Sequence, residues 1–145
     1  MLRTKLKHPD AREAYADLFR SWDKQDIISR IHQADNEHAF YLPHFPVFKQ
    51  SDPSKVRPVF DASAKFGSDK KSLNSALFCG PNLMNELPQV LLRFRAKPIA
   101  VTSDIKDMFL RIRLQEQDKP FHRFLWQDEN GDIVDFQFNS SAAHA

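Results

Sequence analysis

A cluster of prolines near the middle of the chain restricts its fold more than any other feature. The cluster consists of Pro43, Pro46, Pro53 and Pro58. Each lacks a backbone N–H and disfavours helical geometry in the residue before it, so this part of the chain must be extended. The pattern predicts two strands, over 46–50 and 55–61, joined into a hairpin by the polar turn at 51–54.

Side chains of the second predicted strand alternate between two faces. One face carries Lys55, Arg57, Val59 and Asp61, and the other carries Val56, Pro58 and Phe60. Arg57, with Lys49 on the preceding strand, has the chemistry to hold a triphosphate, because a guanidinium makes bidentate contacts with phosphate. An ordinary edge strand explains the same pattern, since exposed basic residues discourage aggregation.

Apolar residues at helical spacing flank this extended region on both sides. Between 10 and 38 they predict two helices, and apolar residues from Leu83 to Phe94 mark a third. If Asn85 is the N-cap of this third helix, Pro88 lies in its first turn, where proline is tolerated. The apolar sides of the first two are Ala14, Tyr15, Leu18, Phe19 and Trp22, followed by Ile27, Ile28 and Ile31. The nearby histidines, His32, His38 and His44, are too scattered to indicate a metal site.

Four further strands are predicted in the last third of the chain. They cover 99–105, 109–114, 121–126 and 133–138, and the last two pair across the turn at 128–131. Antiparallel strands with packing helices define an α+β fold, which is the class that we predict.

The segment that is most informative for chemistry joins an apolar strand to two acids. The predicted strand 99–105 reaches Asp104 at its end, and Asp107 and Phe109 follow at short intervals. Carboxylates at a strand end can hold Mg²⁺, which proteins typically bind through one or two carboxylates plus substrate phosphates. The simpler interpretation is that Asp104 caps the turn after the strand and that Asp107 is solvated.

Composition excludes several classes of protein. A chain of 145 residues with 41% hydrophobic and 28% charged residues can bury a core. No apolar run approaches the length of a membrane span, and the first residues lack an apolar core, so we expect no membrane partner and no secretory signal. The single cysteine, Cys79, excludes an internal disulfide, and three glycines are too few for a glycine-rich phosphate loop.

Charge is distributed unevenly along the chain. Residues 55–97 hold 8 basic and 3 acidic groups, a balance of +5, whereas residues 98–145 hold 5 basic and 8 acidic groups, a balance of −3. A basic middle suits contact with a polyanion, and an acidic end suits cation binding. Uneven charge on a solvated surface is the alternative.

Six short motifs occur in an order that is similar to a known family. They are FYLPH at 40–44, VRPVFDASAK at 56–65, SLN at 72–74, GP at 80–81, LLRFR at 91–95 and DIKDMF at 104–109. Over about residues 15–138 they resemble the fingers and first palm strand of the reverse transcriptases of Bel/Pao-type LTR retrotransposons. The resemblance implies an RNA-directed DNA polymerase, a nucleotidyltransferase of a Pol polyprotein. It also implies Mg²⁺ as cofactor, with an RNA template, a DNA primer and a deoxynucleoside triphosphate as partners.

The resemblance further implies roles for matched residues in the palm. Asp104 corresponds to the catalytic aspartate that binds both Mg²⁺ ions, and Ile105 to the neighbour whose backbone carbonyl completes the shell of one ion. Asp107 corresponds to the acidic residue near the incoming triphosphate. Phe109 matches the bulky steric gate that excludes a ribose 2′-hydroxyl.

In the fingers, the resemblance assigns Arg57 to the incoming base and its phosphates, and Lys49 to the triphosphate. The residues that it places along the template path are Asp61, Asn74, Lys65, Lys70 and Lys71. For the three lysines, simple solvation is the alternative.

The resemblance divides the chain into four parts. They are an N-terminal tail at 1–9, a fingers-like region at 10–98, a partial palm with the first catalytic motif at 99–138, and an unrelated tail at 139–145. The sequence contains no Asp-Asp dipeptide, and after Phe138 it lacks the Phe-Gly and Ser-Pro motif of the family. We therefore expect an incomplete metal clamp, no polymerase activity from this chain alone, and an open apolar palm edge that lowers its stability. The parent element is expected in a cytoplasmic particle.

Two functions of other classes stay open. The chain can be a non-catalytic remnant that binds nucleic acid, which predicts affinity that falls with salt. It can also be an unrelated α+β interaction domain, which predicts that Asp104, Arg57 and Phe109 lie far apart.

Overall fold

Strands and helices are interspersed in the computed structural model, which describes residues 9–32, 38–49, 52–65, 67 and 70–141. The helices are α1 (Pro9–Lys24), α2 (Leu73–Ala76) and α3 (Leu87–Arg95), and the strands are β1 (Ile28–Ile31), β2 (His44–Lys49), β3 (Asp52–Phe60), β4 (Arg123–Gln127) and β5 (Ile133–Phe138). The strands form an antiparallel sheet of order β1-β5-β4 and a separate antiparallel β2–β3 pair. The predicted α+β class is therefore confirmed.

Helix α1 ends in a Schellman motif that turns the chain directly into β1. Asp26 has a φ of 57°, and the N–H groups of Asp26 and Ile27 donate to the carbonyls of Asp23 and Trp22, which is the paired pattern of that motif. The second helix predicted here is wrong, because Ile28–Ile31 is a strand paired with β5. The left-handed Asp26 stops the helix, and β-branched isoleucines pack well in a sheet.

An aromatic core lies between α1 and the three-stranded sheet. Tyr15 and Phe19 of α1 are buried against Phe124 and Phe138 of the sheet, and the ring centroids of Phe19 and Phe124 are 5.0 Å apart. Phe60, at the end of β3, packs edge-to-face on Phe138 with centroids 4.9 Å apart. Each such pair contributes about 0.5–1.5 kcal/mol beyond the burial of its area. The apolar side predicted for the first helix is thus part of the core.

The predicted proline-rich hairpin is present as β2 and β3, but β3 already begins at Asp52, inside the predicted turn at 51–54. Pro46 and Pro58 lie opposite each other in register, and an opposed pair without N–H groups suits the non-hydrogen-bonded position of an antiparallel ladder. The register shifts after Phe48, so that Lys49 pairs with Asp52. Residues 50 and 51 of the predicted hairpin lie outside the described residues, as do 1–8 and 142–145 of the predicted tails.

The chain before β2 attaches the hairpin to the sheet. The N–H of Leu42 donates to the carbonyl of Arg123 at 2.7 Å, and the N–H of Arg123 donates to the carbonyl of Phe40 at 3.2 Å. Tyr41 and Arg123 form a parallel bridge. The hairpin therefore starts from a backbone contact with β4.

The helix predicted from Leu83 to Phe94 is present as α3, but Leu83 lies before its start. It begins at Leu87 with Pro88 in its first turn, and its N-cap is Glu86 rather than the predicted Asn85. Its side chains are all exposed. In the part of the chain that the structure describes, no helix is long and apolar enough to cross a membrane.

Two of the four strands predicted after α3 are wrong. The 99–105 segment is exposed and pairs with no described strand, and Phe109–Arg111 is a 3-10 turn. A strand needs a neighbour that satisfies its backbone groups, and within 99–114 the one bridge to a described residue joins Arg113 to Ser140. The last predicted hairpin is confirmed, because β4 and β5 pair from Arg123 opposite Gln137 to Gln127 opposite Ile133.

Candidate nucleotide and nucleic-acid site

The outer face of the β2–β3 hairpin carries the basic residues that the sequence indicates. Arg57 lies opposite Val47 in the ladder, so the two side chains share one face. Lys49, Lys55 and Arg57 are exposed, whereas Phe60 is buried. The alternation predicted along this strand is therefore confirmed.

Two of the three basic side chains on this face are available to an external anion. Lys55 Nζ lies 3.3 Å from a carboxylate oxygen of Asp52. Neither the side chain of Lys49 nor that of Arg57 has a hydrogen-bond or ion-pair partner among the described residues. An exposed guanidinium without a carboxylate partner can offer its planar fork to a phosphate.

The carboxylate of Asp61, just after β3, forms hydrogen bonds within its own turn. Its Oδ1 accepts hydrogen bonds from the Ser63 hydroxyl at 2.6 Å and from the Ser63 N–H at 2.9 Å. The Ser63 hydroxyl is the main reason that the pKa of the Asp61 carboxyl lies below its ordinary value. This Asx turn gives Asp61 a local structural role.

Asn74 is held beside the same turn. Its N–H donates to the carbonyl of Ala62 at 3.0 Å, and its side chain is exposed. Ser72 and Ser75 form a reciprocal capping box at the start of α2, which fixes the entry of the helix. The structure therefore brings Asp61 and Asn74 to one region, at the end of β3.

Three lysines follow β3 and precede α2. Lys65, Lys70 and Lys71 are all exposed. Lys70 has a φ of 48°, which is uncommon for a residue other than glycine. These lysines add positive charge to the stretch of chain that continues from the basic hairpin.

The acidic 104–109 segment is exposed throughout. Asp104 and Asp107 have no hydrogen-bond or ion-pair partner in the described ranges, and Ile105 and Phe109 are also exposed. Asp107 has a φ of 54° and directs the chain into the 3-10 turn that begins at Phe109. These side chains are therefore open to solvent.

The two groups of candidate residues are not joined to each other. No hydrogen bond or ion pair of the described chain links the 104–109 segment to the hairpin. Within the described residues there is also no cluster of three or more histidine, cysteine, aspartate or glutamate side chains that could hold a metal. The role of Asp104 as a magnesium ligand stays a prediction.

Sequence reasoning missed the part that His44 plays in the core. Its Nδ1 lies 2.8 Å from the Tyr15 hydroxyl, and its Nε2 lies 2.8 Å from the Leu125 carbonyl. Because a carbonyl only accepts, Nε2 carries the proton and Nδ1 accepts from Tyr15. Burial lowers the pKa of His44, so the ring is neutral. Its partner lies 29 residues upstream, beyond the reach of a local sequence pattern.

A scan against protein-family models and a search of curated proteins find no match to this chain. The resemblance to reverse transcriptases therefore rests on the six motifs and their order.

Proposed function

We propose that this chain is part of a Bel/Pao-type retrotransposon reverse transcriptase, comprising fingers and the first part of the palm. Its own task is to hold nucleic acid and nucleotide phosphates. The observation that carries the proposal is the unpaired Arg57 on the exposed face of a hairpin, inside the ordered motif series that ends in DIKDMF.

The hairpin supports this task through its charge. Arg57 and Lys49 can each neutralise a phosphate, which releases condensed counterions and favours binding. Lys65, Lys70 and Lys71 extend the positive charge toward α2. A single strand that carries its phosphates along this face would meet cations at successive positions.

In the parent enzyme, the 104–109 segment would serve the incoming nucleotide. Asp104 and Ile105 would hold Mg²⁺, Asp107 would lie near the triphosphate, and Phe109 would lie below the sugar. The ion would supply charge neutralisation at the reacting phosphates. Because the sequence contains no Asp-Asp dipeptide of the second palm motif, we propose that catalysis belongs to the parent protein and that this chain contributes binding.

Binding of labelled single-stranded RNA, followed by fluorescence anisotropy at several salt concentrations, tests the role of the hairpin. Arg57→Ala is expected to weaken binding and to reduce the slope of log K against log salt by about 0.7, the contribution of one phosphate contact. Lys24→Ala, which removes an exposed cation from α1, is the matched control and should leave the slope unchanged. Equal losses in both variants would show non-specific charge binding.

A second measurement separates the proposal from its alternatives. Saturable, Mg²⁺-dependent binding of a deoxynucleoside triphosphate that is lost in Asp104→Asn supports a reverse-transcriptase site. RNA binding without nucleotide binding supports a non-catalytic remnant. Absence of both supports an unrelated interaction domain.

A further inference from the structure

Helix α3 presents an apolar stripe that the described chain does not cover. Leu87, Val90, Leu91 and Phe94 recur at the spacing of one helical face, and each is between 42% and 66% exposed. An amphipathic helix is normally stabilised by packing of such a face. We therefore expect this nine-residue helix to pack its exposed apolar stripe against a partner surface.

The same helix ends in positive charge. Arg93 and Arg95 lie in its last turn, and Lys97 follows. None of the three side chains has an ion-pair or hydrogen-bond partner in the ranges that the structure describes. The partner surface should thus be apolar and bordered by carboxylates.

Such a surface exists elsewhere on the molecule, at a cavity of about 270 Å³ between α1 and the β4–β5 hairpin. Its apolar lining consists of Ala16, Phe19, Trp126, Val134 and Phe136, and its charged lining of Arg20, Asp23, Arg30, Asp128 and Glu129. Arg20 is paired with Glu13, Asp17 and Glu129. The guanidinium of Arg12 also lies here, because it donates to the carbonyls of Gln127 and Asp128. The lining and these neighbours together hold five carboxylates and three guanidiniums, so the surroundings of the cavity carry a net negative charge.

We propose that the α3 stripe of one copy of this chain docks at the acidic cavity of a second copy. An apolar cavity of about 150 Å³ holds a benzene molecule, so this one has room for the ring of Phe94. The basic end of α3 would then face Asp23 and Glu129. Because the two surfaces differ, the contact is heterologous and can continue from copy to copy. This inference goes beyond the proposed function and does not depend on it.

Nucleic acid is a poorer occupant for either surface. It would satisfy Arg93 and Arg95 but would leave the apolar stripe facing water. The carboxylates around the cavity would repel its phosphates. A second copy satisfies the apolar and the charged parts of both surfaces together.

Sedimentation of the full chain over a dilution series tests the proposal. We expect the mean mass to rise with concentration. Phe94→Ser should weaken association about tenfold, the effect of removing a central aromatic anchor. Leu92→Ser is the matched control, because Leu92 lies on the same helix outside the stripe and is 72% exposed. Circular dichroism verifies that both variants keep their fold.

Charge reversal identifies the two surfaces. Asp23→Lys with Glu129→Lys makes the cavity surroundings basic, and Arg93→Glu with Arg95→Glu makes the end of α3 acidic, so each doubly substituted chain should be monomeric. An equimolar mixture of the two should associate again, because each copy then meets an opposite charge. A wild-type chain that is monomeric throughout overturns the proposal. So does a mixture that stays monomeric, or a Leu92→Ser variant as weak as Phe94→Ser.

Discussion

The carboxylate of Asp26 forms an ion pair with Arg113 at 2.8 Å and accepts a hydrogen bond from the side-chain amide of Asn139 at 2.9 Å. The N–H of Asn139 also donates to the carbonyl of Ile27. The turn that ends α1 is thereby fastened to two segments from the far end of the chain. Asn139 and Ser140 are buried at this junction.

Replacing Asp26 should loosen this junction. Asp26→Ala removes both interactions and places alanine at a φ of 57°, which it tolerates less well than aspartate or asparagine. We expect a loss of about 1–2 kcal/mol in the free energy of unfolding, measured with urea. Asp26→Asn keeps an acceptor and the left-handed preference, and loses only an exposed ion pair worth about 0–1 kcal/mol. An asparagine variant as unstable as the alanine variant would contradict this account.

Stability should fall in mild acid because of His44. Above about pH 6.5 the imidazole is neutral in both the folded and the unfolded chain, so it adds no pH dependence. Below that pH the unfolded chain binds a proton that the buried ring resists, because burial lowers the pKa of His44 in the folded chain. The free energy of unfolding should therefore decline as pH falls from that value toward the folded pKa.

The control for this pH dependence is His44→Gln. Glutamine offers both a donor and an acceptor to the Leu125 carbonyl and the Tyr15 hydroxyl, and it does not titrate. Urea midpoints of this variant should be flatter with pH than those of the wild type between about pH 7 and pH 5. Parallel curves for the two proteins would show that another group controls the acid response.

Removal of the Ser63 hydroxyl should raise the pKa of Asp61. In Ser63→Ala the backbone N–H of residue 63 still donates to the carboxylate, so the pKa should move toward the ordinary value of about 3.9 without a full recovery. A carboxyl-detected NMR titration measures the change. Ser21→Ala, a substitution at an exposed position of α1, serves as the control and should leave the pKa of Asp61 unchanged.

Truncation of an aromatic side chain in the core should lower the stability of the protein strongly. Phe124 is fully buried, and Phe124→Ala is expected to cost about 3–5 kcal/mol. A domain of this size has about 5–15 kcal/mol in total, so the variant should lose a large share of its stability and melt well below the wild type by circular dichroism. Phe78→Ala is the matched control, since Phe78 is 94% exposed and its loss should change stability by less than about 0.5 kcal/mol. Similar melting of both variants would contradict the assigned core.

The sequence was informative wherever a local pattern decides the structure. Prolines and alternation predicted the β2–β3 hairpin and the exposed side of Arg57, and helical spacing predicted α1 and α3. Local sequence patterns gave wrong predictions where residues far away along the chain decide the secondary structure. The isoleucines of β1 became a strand because β5 lies beside them, and the apolar 99–105 segment stayed unpaired because no described strand reaches it.

In the candidate site, too, local arrangements could be predicted from the sequence and long-range ones could not. The placement of Lys49 and Arg57 on one hairpin could be predicted, because they lie on two strands that a short turn connects. A spatial link between this hairpin and Asp104 depends on long-range packing, which sequence spacing does not encode. The pairing of His44 with Tyr15 is missed for the same reason.

The most direct test of the central claim asks whether Arg57 and the 104–109 segment serve one nucleotide. A photoreactive deoxynucleoside triphosphate is crosslinked to the full chain with Mg²⁺ and primer–template, and the labelled peptides are mapped by mass spectrometry. The proposed function predicts label in both the β2–β3 hairpin and the 104–109 segment, with both lost in Arg57→Ala. Label confined to other parts of the chain, or label unaffected by Arg57→Ala, would contradict it.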